Sequence, residues 1–157
     1  MQFYCLADTK EFKRGSKAEL IAQKIIKQAM NVDIIETCDN SDYDFKDSNN
    51  ITYEVKADGK SHLTRRFFIE YGQQTLANAE FQPSGISKSK ADYYMITYGE
   101  SFYKIKTDVI RYLMLLNLHY DRVTFTTNRN EKTRGILVVE GDLKPHATIY
   151  KFEDWTF

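Results

Sequence analysis

The feature that most constrains this chain is the alternation of apolar and polar residues from Ile51 to Asp58. A period of two is typical of a β-strand with one face in the core. The apolar positions are Ile51, Tyr53, Val55 and Ala57, and the polar ones are Thr52, Glu54, Lys56 and Asp58. The pattern therefore predicts a strand from which Glu54 and Lys56 leave the same face, while Val55 points into the core.

A second acidic residue, Asp44, lies ten positions before Glu54. Between them, the Asp-Ser-Asn-Asn run at residues 47–50 has the composition of a turn. The two segments therefore predict a hairpin that brings Asp44 back to Glu54.

Two other acidic residues, Asp42 and Asp47, compete with Asp44 for this position. Asp44 is favoured because its neighbours Tyr43 and Phe45 continue the strand alternation with apolar side chains. Asp42 shares the predicted face of Asp44 and is the second choice.

Two carboxylates with a lysine beside them predict a site for a hard divalent cation. Mg²⁺ prefers oxygen ligands and keeps several of its waters, so two carboxylates suffice. A bound cation lowers the pKa of a water and neutralises charge on a phosphate oxygen. The lysine can orient that water or stabilise the developing negative charge. Asp44, Glu54 and Lys56 thus indicate phosphodiester hydrolysis.

This arrangement resembles the PD-(D/E)XK nuclease superfamily, whose core carries an Asp at the end of one strand and Glu-x-Lys on the next. Asp44 matches the first acid and Glu54-Val55-Lys56 the second half, although Tyr43 stands where the family usually has proline. The tripeptide alone is not specific, because an acid two positions before a lysine occurs six times in this chain. The strand alternation and the upstream acid single out Glu54.

The resemblance covers roughly residues 16–118 and implies an α/β, restriction-endonuclease-like core, a mixed central sheet flanked by helices. It implies that Asp44, Glu54 and the Val55 carbonyl hold Mg²⁺, or Mn²⁺ in its place, with Glu19 assisting. Lys56 would position or activate the attacking water. It also implies a product with a 5′-phosphate and, in many members, a homodimer.

Glu19 has two interpretations. An amphipathic helix is predicted from about Lys17 to Met30, and Ser16 with Glu19 three residues later has the form of a capping box at its start. Several nucleases of the resembled family instead place a glutamate on the first core helix as a metal or water ligand. Both roles stay open for Glu19.

Basic and hydroxyl residues after the predicted site suggest contacts with a phosphate backbone. Lys60, Arg65 and Arg66 follow the Asp58-Gly59 turn signal. The loop at residues 82–90 combines a glycine with three hydroxyls and two lysines, and Ser87, Lys88 and Lys90 are its candidate contacts. This loop also resembles the one that follows the catalytic sheet in small phage-type nucleases of the superfamily.

Further elements are predicted from pattern alone. Strands are expected at residues 67–71, 91–98, 101–106, 135–140 and 147–152, a short apolar segment at 1–6, a strand or linker at 31–37, and a helix from residue 107 or 108 to about 118. Glu70 is unusual in so apolar a strand, because a buried carboxylate without a partner is costly. It either faces the metal site or pairs with an arginine.

The composition and charge distribution limit the classes of protein to which this chain can belong. The net charge is zero, but an acidic centre (two Lys/Arg against eight acids at residues 31–58) lies between two basic flanks, which suits a metal site within a polyanion-binding surface. The chain shows no signal peptide or membrane span, and its two cysteines, Cys5 and Cys38, have no metal-ligand spacing. We therefore expect one domain over residues 1–157, without membrane association, in the cytoplasm, or in the host cytoplasm if a phage encodes it.

The sequence thus predicts a Mg²⁺-dependent DNA endonuclease. A Holliday junction resolvase is one subclass that the order Glu19, Asp44, Glu54, Lys56 resembles, and a restriction-like or replication-associated phage nuclease fits equally. A non-catalytic nucleic-acid or protein-binding module that retains the fold is the alternative from another class, and a small-molecule hydrolase is a third. The three histidines are scattered, which gives no support for a zinc site.

Overall fold

The computed structural model describes residues 10–38, 42–75, 80–126 and 131–152. These residues form four α-helices and ten β-strands. In chain order they are α1 (Lys10–Ala29), β1 (Ile34–Thr37), β2 (Phe45–Asp47), β3 (Thr52–Lys56), α2 (Ser61–Thr64), β4 (Arg66–Gln74), β5 (Gln82–Pro83), β6 (Tyr93–Tyr98), β7 (Ser101–Lys106), α3 (Thr107–Leu116), β8 (Asp121–Thr126), β9 (Glu131–Val139), α4 (Glu140–Leu143) and β10 (Thr148–Lys151).

Six strands form a central mixed sheet in the order β1-β2-β3-β6-β7-β10. Strand β3 pairs antiparallel with β2 on one side and parallel with β6 on the other, with Glu54 opposite Tyr94. The other pairs in this sheet are antiparallel. The strand with Glu54 and Lys56 is therefore interior to the sheet, with a neighbour on each side.

The chain between β3 and β6 builds much of a second, antiparallel sheet, ordered β5-β4-β9-β8. Strand β4 pairs with β9 along nearly its whole length. A 3-10 turn at Gly85–Ser87 then leads back to β6. The crossover from β3 to its parallel neighbour thus runs through strands of another sheet.

The two faces of the central sheet bury different layers. One face packs on α1, whose Ala22, Ile25 and Ile26 are fully buried against Tyr53 and Val55 of β3. The opposite face forms a second core with α3 and the second sheet, to which β6 contributes Tyr94 and Ile96. Because side chains alternate along a strand, Glu54 and Lys56 lie on the side of the second sheet.

The predicted mixed α/β class, with a mixed central sheet and helices, is confirmed. The hairpin of β2 and β3 forms as predicted, and strands lie in each of the five predicted strand segments and in the candidate strand or linker at 31–37. The segment at residues 1–6 lies outside the described residues. No helix in the described ranges combines the length and apolar character that crossing a membrane requires.

The predicted start of the first helix is wrong. Helix α1 begins at Lys10, seven residues before the expected Lys17. Residues 10–16 contain Gly15 and lack the regular apolar stripe that marks Ala18 to Ile26, so the pattern gave no signal for them. Ser16 consequently lies inside the helix and is not its N-cap.

Candidate functional site

Asp44 and Glu54 meet where β2 begins and β3 approaches its end. The Asp44 N–H donates to the Tyr53 carbonyl at 2.8 Å. Its carboxylate oxygen Oδ2 accepts a hydrogen bond from the Val55 N–H at 2.7 Å. Asp44 is therefore held by backbone contacts from both residues that flank Glu54.

Glu54 and Lys56 form a close ion pair on the strand face that points away from α1. Lys56 Nζ lies 2.7 Å from Glu54 Oε1, and the Glu54 side chain is 11% exposed while that of Lys56 is 45% exposed. Burial lowers the pKa of Lys56, but the charge and hydrogen bond of Glu54 more than offset this and raise it to about 12. Lys56 therefore carries its positive charge at neutral pH.

Asp44 lies in an environment that disfavours its own negative charge. Burial and then the charge of Glu54 raise its pKa from the ordinary 3.8 to about 7; the Val55 N–H opposes this, Glu19 adds to it, and Lys56 opposes it weakly. A carboxyl with like charges around it binds a proton or a cation more readily than an isolated one. A divalent cation bound here would reduce the electrostatic repulsion between these negative charges.

Glu19 reaches this cluster from α1. The capping-box interpretation is wrong, because Glu19 and Ser16 both lie well inside the helix. The negative charge of Glu19 contributes to the raised pKa of Asp44. A role of Glu19 as a metal or water ligand stays a prediction.

The competing acids Asp42 and Asp47 have other contacts. Asp42 lies 3.4 Å from Lys90 Nζ in an ion pair. Asp47 is 1% exposed and accepts hydrogen bonds from the Tyr53 hydroxyl and from the Asn49 and Ile51 N–H groups in the β2–β3 turn. Asp47 therefore stabilises the hairpin at the end opposite Asp44.

A polar groove of about 500 Å³ opens at Glu54 and Lys56. Its remaining walls come from β4, from β5 and from the loop after β5. They are Glu70, Gln73, Thr75, Gln82, Pro83, Ser84, Gly85 and Lys88. We call this cavity the site groove.

Glu70 and Gly85 bring the loop onto the site groove. Gly85 has φ +53°, and a Cβ added there would lie 2.4 Å from the Glu70 carbonyl oxygen, so only glycine fits this close approach. Glu70 lines the groove, and no arginine pairs with it among the described residues. Of its two sequence interpretations, the position agrees with the one that faces the site.

The three candidate phosphate contacts in the loop differ in position. Lys88 is exposed and lines the site groove. The Ser87 hydroxyl donates to the Tyr71 carbonyl at 2.9 Å, and Lys90 pairs with Asp42. Lys88 is thus the loop residue that the structure brings to Glu54 and Lys56.

The basic residues after β3 lie away from the site groove. Lys60 and Arg65 flank α2 and are exposed. The guanidinium of Arg66 lies over the Tyr120 ring at 4.4 Å from the centroid. None of the three lines the groove.

Two residues at the site had no signal in the sequence. Tyr94 is 1% exposed opposite Glu54, and burial followed by the Glu54 charge raises its pKa to about 12. Arg111 donates to the Ile86 and Ser89 carbonyls, at 3.1 and 2.9 Å, and so fixes the loop that carries Lys88. The positions of Tyr94 and Arg111 depend on contacts between segments that are distant in the sequence, and the local residue pattern does not reveal such contacts.

The residues present fit a hard divalent cation. Asp44 and Glu54 are oxygen donors, the charge of Glu19 acts on Asp44, and Mg²⁺ would complete its shell with water. Within the described ranges no three or more His, Cys, Asp or Glu side chains are already gathered as a ligand set. The Val55 N–H contacts Asp44, and its side chain packs in the core on the α1 side.

Comparison of the chain with protein-family models, with curated protein sequences and with solved structures finds no match.

Proposed function

We propose that this protein is a Mg²⁺-dependent endonuclease that hydrolyses DNA phosphodiester bonds. The observation that carries the proposal is the meeting of three groups at one end of the β2–β3 hairpin. Asp44 has a pKa raised to about 7 by burial and neighbouring acids, and Glu54 lies 2.7 Å from the Lys56 ammonium. All three charges belong to one cluster, and Glu54 and Lys56 open onto the site groove of about 500 Å³.

Each residue has a distinct role in this proposal. Asp44 and Glu54 would hold the cation with the Val55 carbonyl, and Glu19 would orient a water beside them. When bound, Mg²⁺ supplies a water of lowered pKa and neutralises charge on the phosphate. Lys56 is protonated at neutral pH, so it donates hydrogen bonds to the attacking water or to the phosphate oxygens. It stabilises negative charge as the reaction proceeds and is not the base.

The strand arrangement supports a restriction-endonuclease-like core. The resembled superfamily carries its Asp at the end of one strand and its Glu-x-Lys on the next. Here Asp44 immediately precedes β2, and Glu54-Val55-Lys56 ends β3, which pairs antiparallel with β2. Lys88 on the groove wall supports a DNA substrate, because its positive charge can contact a phosphate. The proposed location of the protein is the cytoplasm.

The first experiment measures cleavage of supercoiled plasmid, single-stranded DNA and a four-way junction with Mg²⁺ or Mn²⁺. Wild type is compared with Lys56→Ala, and Lys46→Ala is the matched control, because Lys46 is also ion-paired to a glutamate, Glu36 at 3.3 Å. We expect Lys56→Ala to lose about 100-fold or more of the activity, since electrostatic stabilisation of this kind supplies such factors. Lys46→Ala should cut normally, and full activity in Lys56→Ala would contradict the proposal.

A non-catalytic nucleic-acid or protein-binding module is the second candidate. The observation in its favour is that the Lys56 ammonium already contacts the Glu54 carboxylate at 2.7 Å, an arrangement that neutralises one of the two proposed ligands. Such a module would bind DNA in a salt-dependent manner and show no Mg²⁺-dependent cleavage on any of the three substrates.

A further inference from the structure

A second cavity adjoins the site groove. Its volume is about 300 Å³, and it shares Lys56, Glu70 and Gly85 with the groove. Any chain segment bound in the groove beside Lys56 therefore lies next to the mouth of this cavity. We call it the base cavity.

The walls of the base cavity are mainly apolar. Ile69, Ile86 and Ile96 are each at most 3% exposed, and Tyr94 adds a buried aromatic side chain. A volume of about 300 Å³ is at the lower end of the range for small-molecule sites, which suits a single flat ring system. The walls therefore favour a ligand group with apolar faces.

The polar groups of the base cavity disfavour an anion. Lys56 is the one cation among the described residues that line it, and it is already paired with Glu54, while Asp58 and Glu70 are acidic lining residues. The Asp58 carboxylate accepts hydrogen bonds from the Lys60 and Ser61 N–H groups. The Glu70 carboxylate has no such bond among the described residues and is available to a ligand N–H donor. A phosphate would be repelled here, whereas a neutral group with N–H donors at its edge would bind.

We infer that the base cavity receives one unstacked nucleobase beside the phosphate that is cut. The inference rests on the proposed function and names its substrate class: a DNA strand with an unpaired nucleotide at the cleavage site. Flipped bases bind between apolar or aromatic side chains, with hydrogen bonds to their polar edge. A paired base in a duplex must first be unstacked, and this cost is smallest where the nucleotide is already unpaired.

The test uses the metal-free protein in EDTA, so that binding is measured without cleavage. Three labelled duplexes of equal length are compared by fluorescence anisotropy: one with a bulged adenosine, one with an abasic bulge, and one fully paired. We expect the bulged adenosine to bind about tenfold or more tightly than the abasic bulge, since stacking of one base on protein is of this order. Equal affinity for the two bulges would overturn the inference.

Two variants localise the effect. Ile96→Phe enlarges a side chain that lines the base cavity on the side of the second sheet, and it should abolish the preference for the base while leaving affinity for the abasic bulge. Lys88→Ala removes a cation that lines only the site groove, so it should weaken both complexes by the same factor. Should Ile96→Phe fail to fold by circular dichroism, the comparison of the two bulges in wild type still decides the matter.

The binding and cleavage results separate the two proposals. A preference for the bulged base without cleavage on adding Mg²⁺ would support the base cavity and overturn the nuclease assignment. Mg²⁺-dependent cleavage with no preference for the base would overturn the base cavity alone.

Discussion

The two acidic residues at the ends of strand β2, Asp47 and Asp44, differ in the number of hydrogen bonds that their carboxylates accept. At the turn end, Asp47 is 1% exposed and accepts hydrogen bonds from the Tyr53 hydroxyl at 2.8 Å and from the Asn49 and Ile51 N–H groups at 2.8 and 3.1 Å. At the open end, Asp44 accepts one from the described residues, from the Val55 N–H, and the charges of Glu54 and Glu19 act on it.

This difference distinguishes a structural acid from a candidate ligand. A buried carboxylate that is fully hydrogen-bonded by its own chain stabilises the fold and has little to offer a cation. One that accepts fewer hydrogen bonds and lies among like charges destabilises the metal-free fold at high pH and gains from a bound cation. Asp47 belongs to the first kind, and we assign Asp44 to the second.

The largest stability effect is expected at the turn end. Asp47→Ala removes the acceptor of three hydrogen bonds, including that of the buried Tyr53 hydroxyl, and should lower the free energy of unfolding by about 3–4 kcal/mol. Urea denaturation measures it. Asp47→Asn keeps one acceptor oxygen and should lose less. A loss below about 1 kcal/mol for Asp47→Ala would show that the two ends do not differ as described.

At the open end, removing the charge of the carboxylate should raise the free energy of unfolding. The pKa of Asp44 is about 7 in the folded state against an ordinary 3.8, so the folded protein holds this proton more tightly than the unfolded chain. The stability it contributes is present below about pH 4 and is lost as the pH rises through about 7. In EDTA at pH 8, Asp44→Asn should therefore be about 2 kcal/mol more stable than wild type, after allowance for solvent screening at a partly exposed group.

Urea denaturation of both proteins from pH 4 to pH 8 checks this prediction. The advantage of Asp44→Asn should become small near pH 4, where the folded state is protonated at this residue and the unfolded chain, with the ordinary pKa of 3.8, is close to half protonated. A constant difference across the range would mean that folding does not raise the pKa of Asp44.

Mg²⁺ should raise the free energy of unfolding of wild type by a smaller amount, and Asp44 should be required for this gain. At ten times its dissociation constant, a ligand of the folded state adds about 1.4 kcal/mol to the free energy of unfolding. We expect this gain for wild type at pH 8 and its loss in Asp44→Asn. Asp42→Asn is the matched control, because Asp42 pairs with Lys90 and should leave the gain unchanged. Loss of the gain in Asp42→Asn alone would make Asp42 the ligand.

The hairpin could be predicted from sequence because its information is local. Alternation from Ile51 to Asp58 defines β3, and the Asp-Ser-Asn-Asn turn determines that β2 returns along it. Both signals lie within 15 residues of Asp44. The separation of roles between Asp44 and Asp47 could not be read there, because it depends on which backbone N–H groups each carboxylate meets.

The walls of the site groove could not be predicted for a different reason. Strand β4 was predicted as a strand and residues 82–83 of β5 as part of a loop, and pattern does not say that the two pair in a separate sheet beside β3. The contact of Gly85 with the Glu70 carbonyl and the Arg111 contacts to the loop are likewise made across long sequence separations. Glu70 therefore kept two interpretations, and Tyr94 was not distinguished from core aromatic residues.

The smallest expected effect concerns α1, whose start the sequence misplaced. If Ser16 capped the helix, Ser16→Ala would cost about 1 kcal/mol. Because Ser16 lies inside α1, which begins at Lys10, we expect a change of no more than about 0.5 kcal/mol, in the stabilising direction that alanine has within helices.

Glu19→Ala should likewise leave the unfolding free energy in EDTA nearly unchanged at pH 5, and should reduce the Mg²⁺-induced gain at pH 8, since its charge acts on Asp44. A loss of about 1 kcal/mol in both variants at pH 5, with the Mg²⁺ gain intact, would restore the capping box and remove Glu19 from the site.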